Sequence, residues 1–204
     1  MCGNMIIDTI EKLEALYGTP KPASTRKVAD RVTAQYRAWI EAAPFCALAT
    51  VGPEGTDCTP RGDAGAVTVI EDEKTIAMPD RRGNDRIDTL RNIVRDPRCS
   101  LMYLVPGSAT VIRVNGRGRI TADAARLERY TMQGKPPRSV LLVHVEEVYF
   151  QCARAVMRAD IWNARPDIDD LPTVGQILAS MTDGAVGGDK YDAEWPGRAA
   201  KSLW

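Results

Sequence analysis

Three arginine-bearing segments hold the residues best suited to chemistry. Thr59-Pro60-Arg61-Gly62-Asp63 borders a β-prone stretch. Met78-Pro79-Asp80-Arg81-Arg82-Gly83-Asn84-Asp85-Arg86 joins a predicted strand to a predicted helix. Arg113-Val114-Asn115-Gly116-Arg117-Gly118-Arg119 lies within a second β region. The middle segment is the sharpest, because it gathers guanidinium groups and free backbone N–H groups where a helix begins. Anions bind well at such a place, since the donors are unsatisfied and the helix dipole is favourable. The guanidinium fork matches two phosphate oxygens, and Gly83 allows close approach of the backbone. The competing reading is a solvated loop that caps its own helix through Asp80, Asn84 or Asp85. In the third segment, strand alternation puts Arg113, Asn115, Arg117 and Arg119 on one face. Three like charges there require an anion or acidic neighbours, or they mark an exposed strand charged against aggregation. Arg61 alone reads as solvated.

Other chemistries find no support. There is no GxGxxG, P-loop or GxSxG pattern. The single histidine, His144, sits in Leu141-Leu142-Val143-His144-Val145 and reads as a satisfied core or interface residue rather than a base. Hydrolytic triad chemistry is therefore disfavoured. Five cysteines (Cys2, Cys46, Cys58, Cys99, Cys152) are widely spaced and form no CxxC, so neither a disulfide framework nor a metal site is expected. Most should pack as small hydrophobes. Tyr130 and Trp162 are the aromatics best placed by sequence to meet a flat ligand, with ordinary packing as the alternative.

The elements that must position these residues follow from periodicity. Apolar residues at helical spacing predict helices over residues 5–16 and 24–42. β-prone runs follow over 45–51, from Asp57, over 66–70 and 75–78, over 99–105, 110–121 and 139–150. Helices are predicted at 85–95, with Ile87, Leu90 and Val94 on one side, and at 123–132. Closely spaced strands with single helices between them disfavour a doubly wound sheet. They favour a mostly β protein, an antiparallel barrel with flanking helices. The organisation reads as N-terminal helices over 1–44, a barrel core over 45–150 and an extension over 151–204, a single domain overall. The extension, poor in core of its own, is expected to pack on the barrel and on a partner subunit.

Composition limits the function classes. The 204 residues are 44% hydrophobic and carry 27 basic against 27 acidic side chains, which gives nucleic acid and polybasic membrane binding no support from bulk charge. No leader, membrane span or myristoylation position (Gly3) is apparent, and the cysteine usage fits a reducing compartment, so a cytoplasmic location is expected.

The order of segments resembles the pyridoxamine 5'-phosphate oxidase-related FMN-binding proteins, and a bacterial subgroup of them more closely. The resemblance rests on Pro44 to Thr50, Pro60-Arg61-Gly62-Asp63, Pro79 to Asn84, Asp88 to Ile93, Leu104 to Gly107, Arg113 to Arg117 and Ala159 to Trp162. It implies a six-stranded antiparallel split β-barrel and a homodimer with FMN at the subunit interface. It implies an FMN-dependent oxidoreductase acting on a small organic substrate, or a non-catalytic binder of flavin, haem or deazaflavin on the same barrel. Carried over by position, Arg61, Asp80, Arg81, Arg82, Asn84 and Arg86 would face the phosphate and ribityl chain. Arg113, Asn115, Arg117, Arg158 and Trp162 would reach the flavin or substrate, partly from the second subunit. The resemblance names no catalytic residue, and the Arg-x-His pair that closes the true oxidases is missing from this C-terminus.

Overall fold

The computed structural model describes residues 6–202, with side chains to Lys201. Cys2, Gly3, the first residue of the predicted N-terminal helix, and Leu203 and Trp204 lie outside the described residues. The chain runs α1 (Ile10–Tyr17), α2 (Pro22–Arg26), α3 (Ala34–Glu41), β1 (Phe45–Gly52), β2 (Gly55–Gly62), β3 (Val69–Asp72) and β4 (Thr75–Pro79). It continues through α4 (Asp88–Arg95), β5 (Arg98–Leu104), β6 (Val111–Thr121), α5 (Ala124–Glu128) and β7 (Val140–Gln151). Helices α6 (Arg154–Ala159), α7 (Val174–Met181) and α8 (Gly188–Ser202) complete it.

The seven strands form one antiparallel sheet in the order β2-β1-β5-β6-β7-β4-β3. The expected count of six is therefore corrected to seven, and hydrogen bonding does not close the sheet, because β2 and β3 remain edges. The period-2 pattern itself contains seven runs. Strands β1 and β2 form a hairpin turned by Gly52-Pro53-Glu54-Gly55, with Gly55 at φ 129. The inner face carries Leu48, Ile76, Leu101, Tyr103, Ile112, Val114, Val143, Val145 and Val148, all essentially inaccessible.

Two helices differ from their sequence pattern for identifiable reasons. The predicted helix over 24–42 breaks into α2 and α3 because Ala29 exchanges both backbone hydrogen bonds with Val148 of β7. In α4 the buried residues are Thr89, Asn92 and Ile93, while Ile87 and Val94 are exposed, the reverse of the apolar stripe expected. Polar anchors decide this. Thr89 donates to Asp57 of β2, Asn92 donates to Thr50 of β1 at 3.2 Å, and Gly52 leaves the room that Asn92 needs. This packing fixes where α4 begins, and so where the arginine loop before it must lie.

Helices α7 and α8 lock on each other. Thr173 caps α7, and Asp192 of α8 accepts from the Gly175 amide at 2.8 Å and from the Thr173 hydroxyl. Ile177, Met181, Val186 and Trp195 of this pair are exposed, as are Ile10, Leu13 and Leu16 of α1. Among the described residues no helix is long and apolar enough to cross a membrane.

Candidate functional site

The arginine loop and the end of β2 enclose a cavity of about 610 Å³. Its walls carry five arginines (Arg61, Arg81, Arg82, Arg86, Arg138) against three aspartates (Asp63, Asp80, Asp85), and Asp88 beside Arg86 brings the surplus to one positive charge. Antiparallel pairing assembles it. The Asp80 amide donates to the Ser139 carbonyl at 2.9 Å, which joins the end of β4 to the start of β7, and the Asp63 amide donates to Pro44.

The arginines divide by what already holds them. Arg61 Nη1 meets Asp80 Oδ1 at 2.7 Å, but its Nε is buried with no hydrogen-bond partner. Arg81 is an internal strut. Its Nε donates to Asp63 Oδ2 at 2.9 Å and its Nη1 donates to the Tyr130 carbonyl at 2.7 Å, with the Asp63 side chain only 6% exposed. Arg86 pairs with Asp88, and Arg138 pairs with Asp85 at 2.6 Å. Arg82 is exposed and has no ion pair among the described residues. Asn84 accepts from the Arg86 amide at 3.1 Å, and the N-cap position of α4 is Ile87, which offers no side-chain acceptor. A loop spent on capping its own helix does not fit this geometry. Asp85 holds φ 61, a left-handed conformation that Asp tolerates better than most residues.

The sequence-predicted residues separate into groups within one chain. Arg61, Asp80, Arg81, Arg82, Asn84 and Arg86 come together at the cavity. Arg113, Asn115 and Arg117 do alternate outward on β6, but onto the other face of the sheet. There Arg113 lies over the Tyr149 ring at 5.2 Å, and Asn115 accepts from Ser100 and donates to Glu147. Arg117 faces Arg98 and His144 in register. His144 is thus exposed rather than in the core, because Val143 and Val145 take the inner positions of β7. Arg158 is exposed on α6, and Trp162 donates from Nε1 to the Ser108 carbonyl at 2.6 Å. Tyr130 is likewise packed, with its hydroxyl donated to Glu71. Cys46 and Cys99 are buried, and burial pushes both thiols up to about 12, while Cys58 and Cys152 are exposed.

Sequence reasoning missed Arg138, and it named Asp63 within the first arginine segment without giving it a role. The signal for Arg138 was a cation directly after Pro136-Pro137 at the entry to a long strand.

Burial, reinforced by the Glu71 carboxylate, pushes the Tyr130 phenol up to about 12 from its ordinary 10. A raised phenol pKa favours the folded state below pH 10, and that contribution is lost as pH climbs toward 12. Tyr130→Phe should therefore flatten part of the alkaline fall in Tm over that window. Calorimetric scans in which wild type and variant keep identical alkaline slopes would exclude this.

The pyridoxamine 5'-phosphate oxidase family model matches residues 32–152, more than half of the chain. The chain belongs to that family. The matched stretch spans α3 to the end of β7, so it contains the whole sheet and the whole arginine cavity. The fold is accordingly the family's split-barrel-like sheet with flanking helices. Among solved structures, the HupZ protein of Group A Streptococcus is 19% identical, with 58% of this chain and 92% of that chain covered and a TM-score of 0.47. A Clostridium acetobutylicum protein related to general stress protein 26 of Bacillus subtilis is 13% identical, over 57% and 85% of the two chains, at 0.46. An FAD-binding protein from Mesorhizobium loti is 15% identical, over 60% and 94%, at 0.43. No curated protein matches the chain.

Proposed function

We propose that the chain is an FMN-dependent oxidoreductase for a small organic substrate, with the cofactor's phosphate held in the arginine cavity. The carrying observation is the pairing of Arg82 and Arg61 on the cavity wall: Arg82 has no ion pair among the described residues, and Arg61, tied to Asp80, keeps a buried Nε without a partner. Buried donors are rarely left unpaired, because desolvation without a partner costs about 1–3 kcal/mol. A phosphate supplies acceptors for these guanidinium groups and for the loop amides, and the residues present fit it. When bound, FMN supplies a ring that accepts and returns a hydride. The chain's own groups bind and orient. Arg61, Arg82 and the loop amides meet the phosphate, Asp80 holds the Arg61 fork in place, and Asp63 with the Tyr130 carbonyl holds the loop through Arg81.

The division of labour between neighbouring arginines is testable. Arg81→Ala together with Arg82→Ala should lower FMN affinity tenfold or more, equivalent to about 1.4 kcal/mol. Separately, Arg82→Ala should lower affinity with Tm unchanged. Arg81→Ala should also cost about 1–2 kcal/mol of stability by leaving Asp63 unpaired. Flavin occupancy untouched in the double variant would remove the loop from the phosphate role.

The proposal includes a homodimer. It is supported by the placement of Arg113, Asn115, Arg117 and Arg158 away from the cavity of their own chain, where a second copy could use them. It is also supported by the exposed apolar side chains of α1 and α7–α8. A chain ending before Asp183 should sediment as a weaker dimer than the full chain, and equal association of both forms would contradict a role for the extension at the interface.

A further inference from the structure

A second, smaller cavity of about 240 Å³ adjoins the arginine cavity and shares Asp80, Arg81, Arg82 and Arg138 with it. Its remaining walls are of a different kind, namely Met132, Lys135, Pro136 and Pro137. The walls are rigid. Met132 and Lys135 exchange backbone hydrogen bonds around a two-residue turn in which Gln133 (φ 51) and Gly134 (φ 74) are both left-handed. The Pro136-Pro137 step follows with fixed φ, and Pro137 is buried. The one acid in the lining, Asp80, is committed to Arg61 at 2.7 Å.

Such an annex selects its ligand. The apolar part of the wall, Met132, Pro136 and Pro137, is preformed by the tight turn and the proline step and binds an apolar body with little ordering cost. Arg82, unpaired among the described residues, lines both spaces, and a guanidinium has more than one edge from which to donate. Resting on the FMN reading above, we infer that this annex binds the apolar body of a small organic monoanion, an aryl or acyl carboxylate, whose charge is met by Arg82. This assigns a substrate class to the site: a carboxylate carried on a hydrophobic group that fills the apolar wall.

The probe is 2-naphthoate, titrated calorimetrically into the purified protein as isolated, with bound flavin quantified in the same samples. The expected result is saturable binding of one naphthoate per chain, at least tenfold tighter than that of the neutral 2-naphthalenemethanol. Met132→Glu, which places a negative charge on the annex wall, should weaken naphthoate at least tenfold while flavin content stays that of wild type. Arg82→Ala should erase the preference for the anion over the alcohol. Absence of saturable binding to wild type overturns the inference, as does binding indifferent to both substitutions. Release of FAD in place of FMN also overturns it, since the adenylate would then claim the annex. Protein isolated without flavin that still binds naphthoate in this pattern contradicts the cofactor reading and leaves the annex standing.

Discussion

Arg61→Ala is expected to lower FMN affinity by about 100-fold, equivalent to about 2.8 kcal/mol, and to cost about 2 kcal/mol of stability. The two losses have one origin. Arg61 reaches the cavity from the end of β2, and its fork spans two jobs: Nη1 pairs with Asp80 while the buried Nε has no partner in the chain. Removing it deletes a donor to the phosphate and strands a half-buried aspartate beside it, which turns attraction for a dianion into repulsion. Arg61→Lys should recover the charge but not the planar fork, and should fall between wild type and alanine. Equilibrium dialysis with FMN and thermal melts measure the two effects separately. An alanine variant that binds FMN as wild type does would place the phosphate elsewhere.

Gly116→Ala is the second large effect, a loss of about 3–4 kcal/mol or failure to fold. Gly116 sits where β6 and β7 shift register, opposite Val145. A Cβ built on it would lie 2.1 Å from the His144 carbonyl oxygen, a backbone atom that cannot swing aside. Gly83 is the contrasting case. Its Cβ would meet nothing within 4 Å and its backbone is not left-handed, so Gly83→Ala should leave urea stability within about 0.5 kcal/mol of wild type. Loss of less than about 1 kcal/mol at Gly116 would contradict the β6–β7 geometry described above.

These two positions also show how far the sequence is legible. The alternation of Arg113, Asn115, Arg117 and Arg119 against Val114, Gly116 and Gly118 predicts that each set shares a face of β6, and in the structure the second set is the buried one. The loop over 80–86 is likewise readable, because a strand end, arginines and a helix start lie within one short segment. What local pattern cannot carry is pairing between distant segments. Ala29 bonds Val148 and so breaks a helix that its own residues favour. Asn92 and Thr89 bury polar side chains because Thr50 and Asp57 wait for them across the chain. Arg81 and Arg82 are adjacent and identical in type, yet only distant Asp63 and Tyr130 make one a strut and leave the other open. Arg138 joins the cavity only through the register of β4 on β7. The six-strand expectation came from resemblance, whereas the runs of β-prone residues already numbered seven.

The most direct test is the visible spectrum of the purified protein, followed by identification of what denaturation releases. Flavin absorbance and one FMN per chain are expected, with occupancy falling in the Arg61 variant. A colourless protein that fails to take up added FMN, or one that releases haem or a deazaflavin, would contradict it.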